Sequence, residues 1–445
     1  VAFAYNAYSI LETGRDEYGE KFPLIFKSIG DAKLPATIYL TTIPIKVFGL
    51  TEWSIRFPSA AFGILAVIFF YLLVKEVTNN NLMAFLAGLL LALSPWHLQH
   101  SRSLFDTNIS FAFVMVGTYL YVRYLRSDLI RPRAAGVPLQ KARKGLTFST
   151  SLALPFIFYA LAIYTYFSDR LFVPLFVVGL GFLYRRKLIR NKQRFFICLL
   201  PSLILITPLV YALATSSVSF HKVAITTIFS YSRPEAETKK LKLEDPPFLF
   251  SLFHNRLIEN SLLVTRRYLN HFSPSFLFVS GTYEDAKQKI VGMGEMYWYE
   301  LPFLVWGLVL LLKSKSSFKP LFLLWLLLGP LPAAITRDEV HGRRAMETLP
   351  PLLFFISLGL VSFLSYLKGL TFPKRTFLLF VFSGAFLFRF GYYLLSYYIF
   401  TPAVTFQGPG GWGCGYKELV AAITPIQNRY SQVVGDTSYQ SAYLF

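Results

Sequence analysis

The residues best equipped for chemistry sit in a few short polar stretches between long apolar runs. His100-Ser101-Arg102-Ser103-Leu104-Phe105-Asp106 is the sharpest. It leaves two apolar runs almost no connecting loop, so its charges lie at a membrane surface if those runs cross a bilayer. Arg102 and Asp106 are four apart, and a helical turn would set them on one face. Two readings stand: an ion pair that caps the span opening at Asp106, or a carboxylate held where a lipid headgroup lies.

Thr336-Arg337-Asp338-Glu339-Val340-His341-Gly342-Arg343-Arg344 packs cations and His341 into one turn. An arginine such as Arg344 can grip a phosphate with two parallel N–H donors; alternatively, Asp338 and Glu339 neutralise the arginines locally. Lys33 directly precedes the apolar stretch Leu34–Leu50. Its ammonium can reach a lipid phosphate as a point charge, or it is a solvated loop lysine. Tyr164, Tyr166 and Arg170, at the end of an apolar run, can line a substrate site or form an interfacial aromatic belt. Asp16 and Glu17 are adjacent, so their side chains diverge, and they read as part of a turn. His221, His254 and His271 share no metal spacing, and Cys198 and Cys414 make no disulfide framework or zinc motif.

The elements that position these residues are helices in lipid. Of 445 residues, 54% are hydrophobic and only 15% charged, well below the roughly 25% charged of a soluble domain. Runs near the ~20 residues that span hydrocarbon are Phe57–Val77, Leu82–His97, Asp106–Leu125, Phe148–Phe167, Leu171–Tyr184, Phe195–Ala214, Tyr299–Leu312, Pro320–Thr336, Leu349–Leu367 and Phe377–Phe400. The expected fold is an all-α polytopic membrane bundle over residues 57–400. A net charge of +20 scattered among short loops suits anionic headgroups as partner rather than nucleic acid.

Charge parity orients the bundle. Arg126, Arg131, Arg133, Lys141, Arg143 and Lys144 follow the third run; Arg185, Arg186, Lys187, Arg190, Lys192 and Arg194 follow the fifth. Lys313, Lys315 and Lys319 follow the seventh, and Lys368, Lys374 and Arg375 the ninth. Basic loops stay cytoplasmic. The opposite, extracytoplasmic face then receives residues 1–56 with an interfacial helix at Leu34–Leu50, the long loop 215–298, the turn Arg337–Glu347, and a tail, 401–445, that opens a small water-facing domain. A chain that begins at Val1 and stops within an apolar pattern reads as a fragment.

Phe48-Gly49-Leu50, Arg56-Phe57-Pro58-Ser59-Ala60, Ser94-Pro95-Trp96-His97 and Ser101-Arg102 with Asp106 occur in that order. So do Asn270-His271-Phe272-Ser273-Pro274, Glu300-Leu301-Pro302 and Pro332-Ala333-Ala334-Ile335-Thr336-Arg337-Asp338 with His341 and Arg344. Over nearly its whole length the chain resembles the GT-C glycosyltransferases of the protein O-mannosyltransferase and aminoarabinose (lipid A) transferase type. The resemblance implies a bacterial or archaeal plasma-membrane enzyme. It would take mannose or a related sugar from a polyprenyl-phosphate carrier, with inversion, and pass it to a protein, lipid or glycan acceptor. It implies no cofactor, since the carrier supplies the energy. The family's first-loop Asp-Glu pair, its usual base, precedes a segment like Val1–Tyr8 and is expected upstream of Val1. By match, Asp106 is the second, catalytic acidic position, Lys33 the phosphate contact and Arg102 its neighbour; Tyr164, Arg170, His341 and Arg344 complete the expected substrate set. A lipid or solute transporter is the alternative, and Arg389 within the last apolar run favours it.

Overall fold

A computed structural model describes residues 2–28, 31–130, 153–189, 192–230, 240, 243–244, 255–282 and 290–402. The tail from 403, His254, Arg190 and the basic residues Arg131, Arg133, Lys141, Arg143 and Lys144 lie outside them. Apart from one hairpin, β1 (Phe26–Ser28) with β2 (Asp31–Lys33), the described elements are helices. They are α1 (Ala2–Thr13), α2 (Pro35–Phe48), α3 (Glu52–Thr78), α4 (Asn81–Leu93), α5 (Pro95–Arg102) and α6 (Asp106–Ile130). Then come α7 (Ala153–Thr165), α8 (Asp169–Leu183), α9 (Lys192–Thr215), α10 (Ser217–Thr226) and α11 (Arg256–Asn270). The last four are α12 (Leu301–Lys313), α13 (Lys319–Leu328), α14 (Leu349–Lys368) and α15 (Phe372–Leu395), joined by short helical turns.

Local chemistry sets the boundaries. Pro35 opens α2, where its missing N–H costs nothing. Thr51 and Ser54 cap α3 reciprocally, and Asn79 closes it in the left-handed conformation at φ 55°. Asn80 then caps α4 through the Met83 N–H. Ser94 is extended and Pro95 starts α5, so the chain bends by 56°.

Each of the ten expected runs is matched by helix, but with different reach. Among the described residues four helices, Glu52–Thr78, Cys198–Thr215, Met346–Lys368 and Phe372–Phe400, are long and apolar enough to cross a membrane, or five if α4 and α5 count as one bent span. The expected run Leu82–His97 is therefore broken at Ser94, and Pro320–Thr336 is divided between α13 and a short turn, Leu331–Ala334. Residues 1–56 hold α1 besides the expected α2, and the loop 215–298 contains α10 and α11.

The core runs along α6, whose Ile109, Phe111, Ala112, Val114, Met115, Val122 and Leu125 are fully buried, with α3 on one side and α7 on the other. Ile64, Phe85, Val178, Phe182, Tyr211 and Phe380 face outward, as expected where lipid is the solvent. The chain is an integral membrane protein. Helices α12 and α14 cross closely. A Cβ on Gly307 would lie 1.7 Å from the Phe355 carbonyl oxygen, and one on Gly359 2.3 Å from that of Phe303. Small residues let helix backbones meet this closely in membranes. Gly307→Val therefore forces the pair apart and should cost about 1–3 kcal/mol or more, read as a lowered melting temperature in detergent; an unchanged melt would mean that the crossing contributes little.

Helix order places Asp106, Asp169, Thr336 and the start of α3 at one end of the bundle. Arg126, Arg185, Arg186, Lys187, Lys313, Lys319 and Lys368 lie at the other.

Candidate functional site

The hairpin supplies the first part. Alternate strand residues share a face, so Asp31 and Lys33 point one way while buried Ala32 points the other. Lys33 Nζ lies against one Asp31 oxygen and 5.4 Å from the Phe3 ring centroid. The second Asp31 oxygen takes Lys222 Nζ from α10 at 2.7 Å, and the same ammonium donates to the Ala32 carbonyl at 2.7 Å. Burial pushes the Asp31 carboxyl up, but the two ammoniums outweigh it and hold it at about 2. Burial pushes Lys222 down to about 8, against the pull of Asp31.

Two cations share one aromatic ring beside this triad. Lys222 Nζ lies 3.9 Å from the Phe167 centroid, and the Arg170 guanidinium 3.8 Å from it. Phe167 and Arg170 lie at the α7–α8 turn on either side of Asp169, and Lys222 reaches them from α10. Arg170 Nε and Nη2 are buried with no hydrogen-bond partner among the described residues, a costly state for a guanidinium unless an anion completes it.

Carboxylates face this basic wall. Asp106 opens α6, is 9% exposed, and accepts the Thr107 N–H at 3.0 Å. It lies within electrostatic range of Lys222 and of Asp169. Asp169, wholly inside, takes a short hydrogen bond from Ser110, one turn along α6 from Asp106. Asp106 thus stands between Asp169 and Lys222, and Lys222 is the member of the basic cluster, with Lys33 on Asp31 and Arg170 on Phe167, that it faces. The arrangement can remove a proton from a hydroxyl while holding an anion close by.

The polar turn 336–344 closes the same end. Arg337 donates to the carbonyls of Ala224 and Thr227, so α10 joins the turn to the hairpin. Trp96 Nε1 donates to the Gly342 carbonyl at 3.0 Å, the Gly342 N–H to Thr282 at 2.9 Å, and Thr282 to Glu295 at 3.0 Å. A Cβ on Gly342 would sit 2.6 Å from Glu295 Oε1, which explains the glycine. Burial pushes Glu295 up to about 7, with the Thr282 hydrogen bonds opposing. His271 Nδ1 pairs with the Arg267 carbonyl and Nε2 accepts the His341 N–H at 3.1 Å. Burial lowers His271 to about 4, so its ring is a neutral fastener. His341 is also driven far down by burial and by Arg344 and Arg343.

The structure gathers only part of the expected set. Lys33, Arg170 and Asp106 converge. Arg102 does not join them: the chain is extended at Ser103, the turn is not helical, and Arg102 leaves on the last turn of α5. Its guanidinium lies 4.9 and 4.7 Å from the rings of Tyr397 and Tyr398 instead. No ion pair joins Arg102 to Asp106 among the described residues. Tyr164 gives its hydroxyl to the Leu205 carbonyl on α9. Arg344 is held by Asp338, with His341 3.8 Å from the same oxygen, whereas Arg343 lies 5.5 Å from the ring centroid of Phe105, the residue that precedes Asp106 in the chain. Asp16 is a turn residue, accepting the N–H groups of Tyr18 and Glu20. Sequence reasoning missed Lys222, Asp169, Ser110 and Asp31. Asp169, a carboxylate between apolar runs, was the one with a readable signal.

The model of the dolichyl-phosphate-mannose-protein mannosyltransferase family matches residues 32–133, from the hairpin to the end of α6. An uncharacterised protein of Aquifex aeolicus is 29% identical over 93 residues, 21% of this chain and 18% of that one. The archaeal oligosaccharyltransferase AglB of Archaeoglobus fulgidus, solved with an inhibitory peptide and a dolichol-phosphate, superposes with a TM-score of 0.54 at 14% identity, covering 100% of this chain and 57% of its own. ArnT of Cupriavidus metallidurans gives a TM-score of 0.47 at 12% identity over 84% of this chain and 56% of its own. The chain thus spans a little over half the length of these solved structures. Its fold is of the GT-C type.

Proposed function

We propose that this GT-C-type membrane protein is a glycosyltransferase that takes a sugar from a polyprenyl-phosphate carrier and passes it, with inversion, to an acceptor hydroxyl. One observation carries the reading: the buried carboxylate Asp106, with Asp169 beside it, lies within electrostatic range of Lys222 in a cluster with Lys33 and Arg170, at the end of the bundle opposite the basic loops. That end is then extracytoplasmic, since surplus Lys and Arg are retained inside.

In this scheme Lys33, Lys222 and Arg170 hold the carrier phosphate. As the bond between the anomeric carbon and the phosphate oxygen breaks, negative charge grows on the phosphate, and preorganised cations stabilise it. Asp106 takes the acceptor proton as the new glycosidic bond forms on the opposite face of the sugar. Ser110 holds Asp169 in place beside it. Asp31 is the counter-ion that keeps two lysines together when no phosphate is bound. The matched family, whose description names a dolichyl-phosphate-mannose donor, and the dolichol-phosphate in the AglB complex support a lipid-linked donor; mannose or a related sugar is the first candidate, and the acceptor a protein, lipid or glycan.

The test is direct. The full-length protein, in detergent or vesicles, is given polyprenyl-phosphate-linked sugars and candidate acceptors, and release of the lipid phosphate is followed. Transfer with stoichiometric release supports the reading. Movement of the carrier across vesicles with no sugar transferred sinks it in favour of a lipid transporter.

A further inference from the structure

Helix α11 is amphipathic the wrong way round for a water-facing loop. Placed at 100° per residue, Arg256, Asn260, Arg267 and Asn270 fall on one side, and Leu257, Ser261, Leu262, Thr265 and Leu269 on the other. The C-terminal half of the polar side, at Arg267 and Asn270, turns inward, while Arg256 is exposed. Arg267 is largely covered and donates to the Thr336 carbonyl, while Asn270, Arg266 and Arg267 all reach Glu339, with Arg266 Nε at 3.0 Å. The apolar side turns out: Leu257 is 78% exposed, Leu262 64% and Leu269 59%.

The two hydroxyls on that outer face need no water. Ser261 donates to the Leu257 carbonyl and Thr265 to the Ser261 carbonyl, each at 2.7 Å, the bond by which such side chains satisfy themselves within a helix. Tyr268 Oη donates to the Leu327 carbonyl of α13 at 2.8 Å. That contact sets α11 beside an apolar helix whose Leu327 is itself 58% exposed. Between α11 and the bundle runs a groove of about 650 Å³ lined half by apolar side chains, Phe229, Leu257, Val264 and Ile335, and half by polar ones, Arg256 and Asn260 among them.

We propose that α11 is lodged in the hydrocarbon of the leaflet on the site's side, with Leu257, Leu262 and Leu269 against lipid acyl chains. Lipid is the occupant because the outward face continues the lipid-facing surface of α13 and its polar atoms are internally paired. The inward charges then tie the polar turn 336–344 to a helix whose depth the bilayer fixes. A helix of 15 residues is too short to cross, so it enters and stays in one leaflet.

Spin labels settle the depth. In vesicles of the full chain lacking Cys198 and Cys414, nitroxides are placed at Leu257→Cys, Leu262→Cys or Leu269→Cys, all exposed and outside the catalytic set. Ile64→Cys on α3 is the lipid reference and Glu20→Cys the aqueous one. The three α11 labels are expected to match Ile64, colliding several-fold more with oxygen than with a water-soluble nickel chelate. Labels that behave like Glu20 overturn the proposal. So do labels shielded from both reagents, which would mean a protein surface covers the face. Neither result touches the sugar-transfer assay, which stands or falls separately.

Discussion

Asp106→Asn should lower kcat/KM for sugar transfer by about 10²–10⁴-fold, the usual contribution of a positioned proton acceptor. The amide keeps an oxygen for the Thr107 N–H at the start of α6, so the melting temperature should move little. Donor affinity should also hold, because the phosphate contacts lie on Lys33, Lys222 and Arg170. The paired measurement is Asp169→Asn. Its carboxylate is occupied by Ser110, so the loss there should be smaller. If Asp106→Asn turns over at the native rate while Asp169→Asn is inactive, the base is Asp169 and the role given to Asp106 is wrong.

Lys222→Ala should weaken donor binding about 10–100-fold, the range for losing one hydrogen bond between charged groups of about 1.5–3 kcal/mol. The effect should appear in affinity for the carrier phosphate more than in acceptor preference. The same residue predicts a pH response. Burial holds the Lys222 ammonium at about 8 rather than 10.5, so it is charged below that pH and neutral above. Donor affinity should therefore be retained from neutrality to about pH 7.5 and fall as the pH rises through about 8. Lys222→Arg, whose guanidinium stays charged, should flatten the alkaline fall. An unchanged alkaline limb in Lys222→Arg would assign the titration to another group. Asp31 is held at about 2, so it stays anionic throughout this window and contributes no slope.

Part of the candidate site is legible in the sequence. Lys33 was readable because it stands directly ahead of a Pro-initiated helix, and Asp106 because it opens an apolar run after a polar turn. Arg170 was readable from its place at a span end. Arg102 misled, because spacing of four brings side chains together only along one continuous helix. Three residues of extended or bent chain at Ser103–Phe105 sent it to Tyr397 and Tyr398. The polar turn is legible as a cation cluster, yet Arg343 lies over the ring of Phe105 and Arg344 is spent on Asp338.

Composition and pattern by themselves determined the class of molecule. Apolar runs near the bilayer length can only be helices in lipid, and the alternation of basic loops separates the two ends of the bundle. What they left undecided is every contact between distant segments. Lys222 carries no periodicity and no neighbour that marks it, and it meets Asp31 and Ala32 from 190 residues away. Asp169 meets Ser110 across 59, and the inverted face of α11 has meaning only once Glu339 is beneath it. Periodicity reports a segment's solvent. Which buried charge answers which is fixed by the packing of helices against one another, and only the tertiary structure carries it.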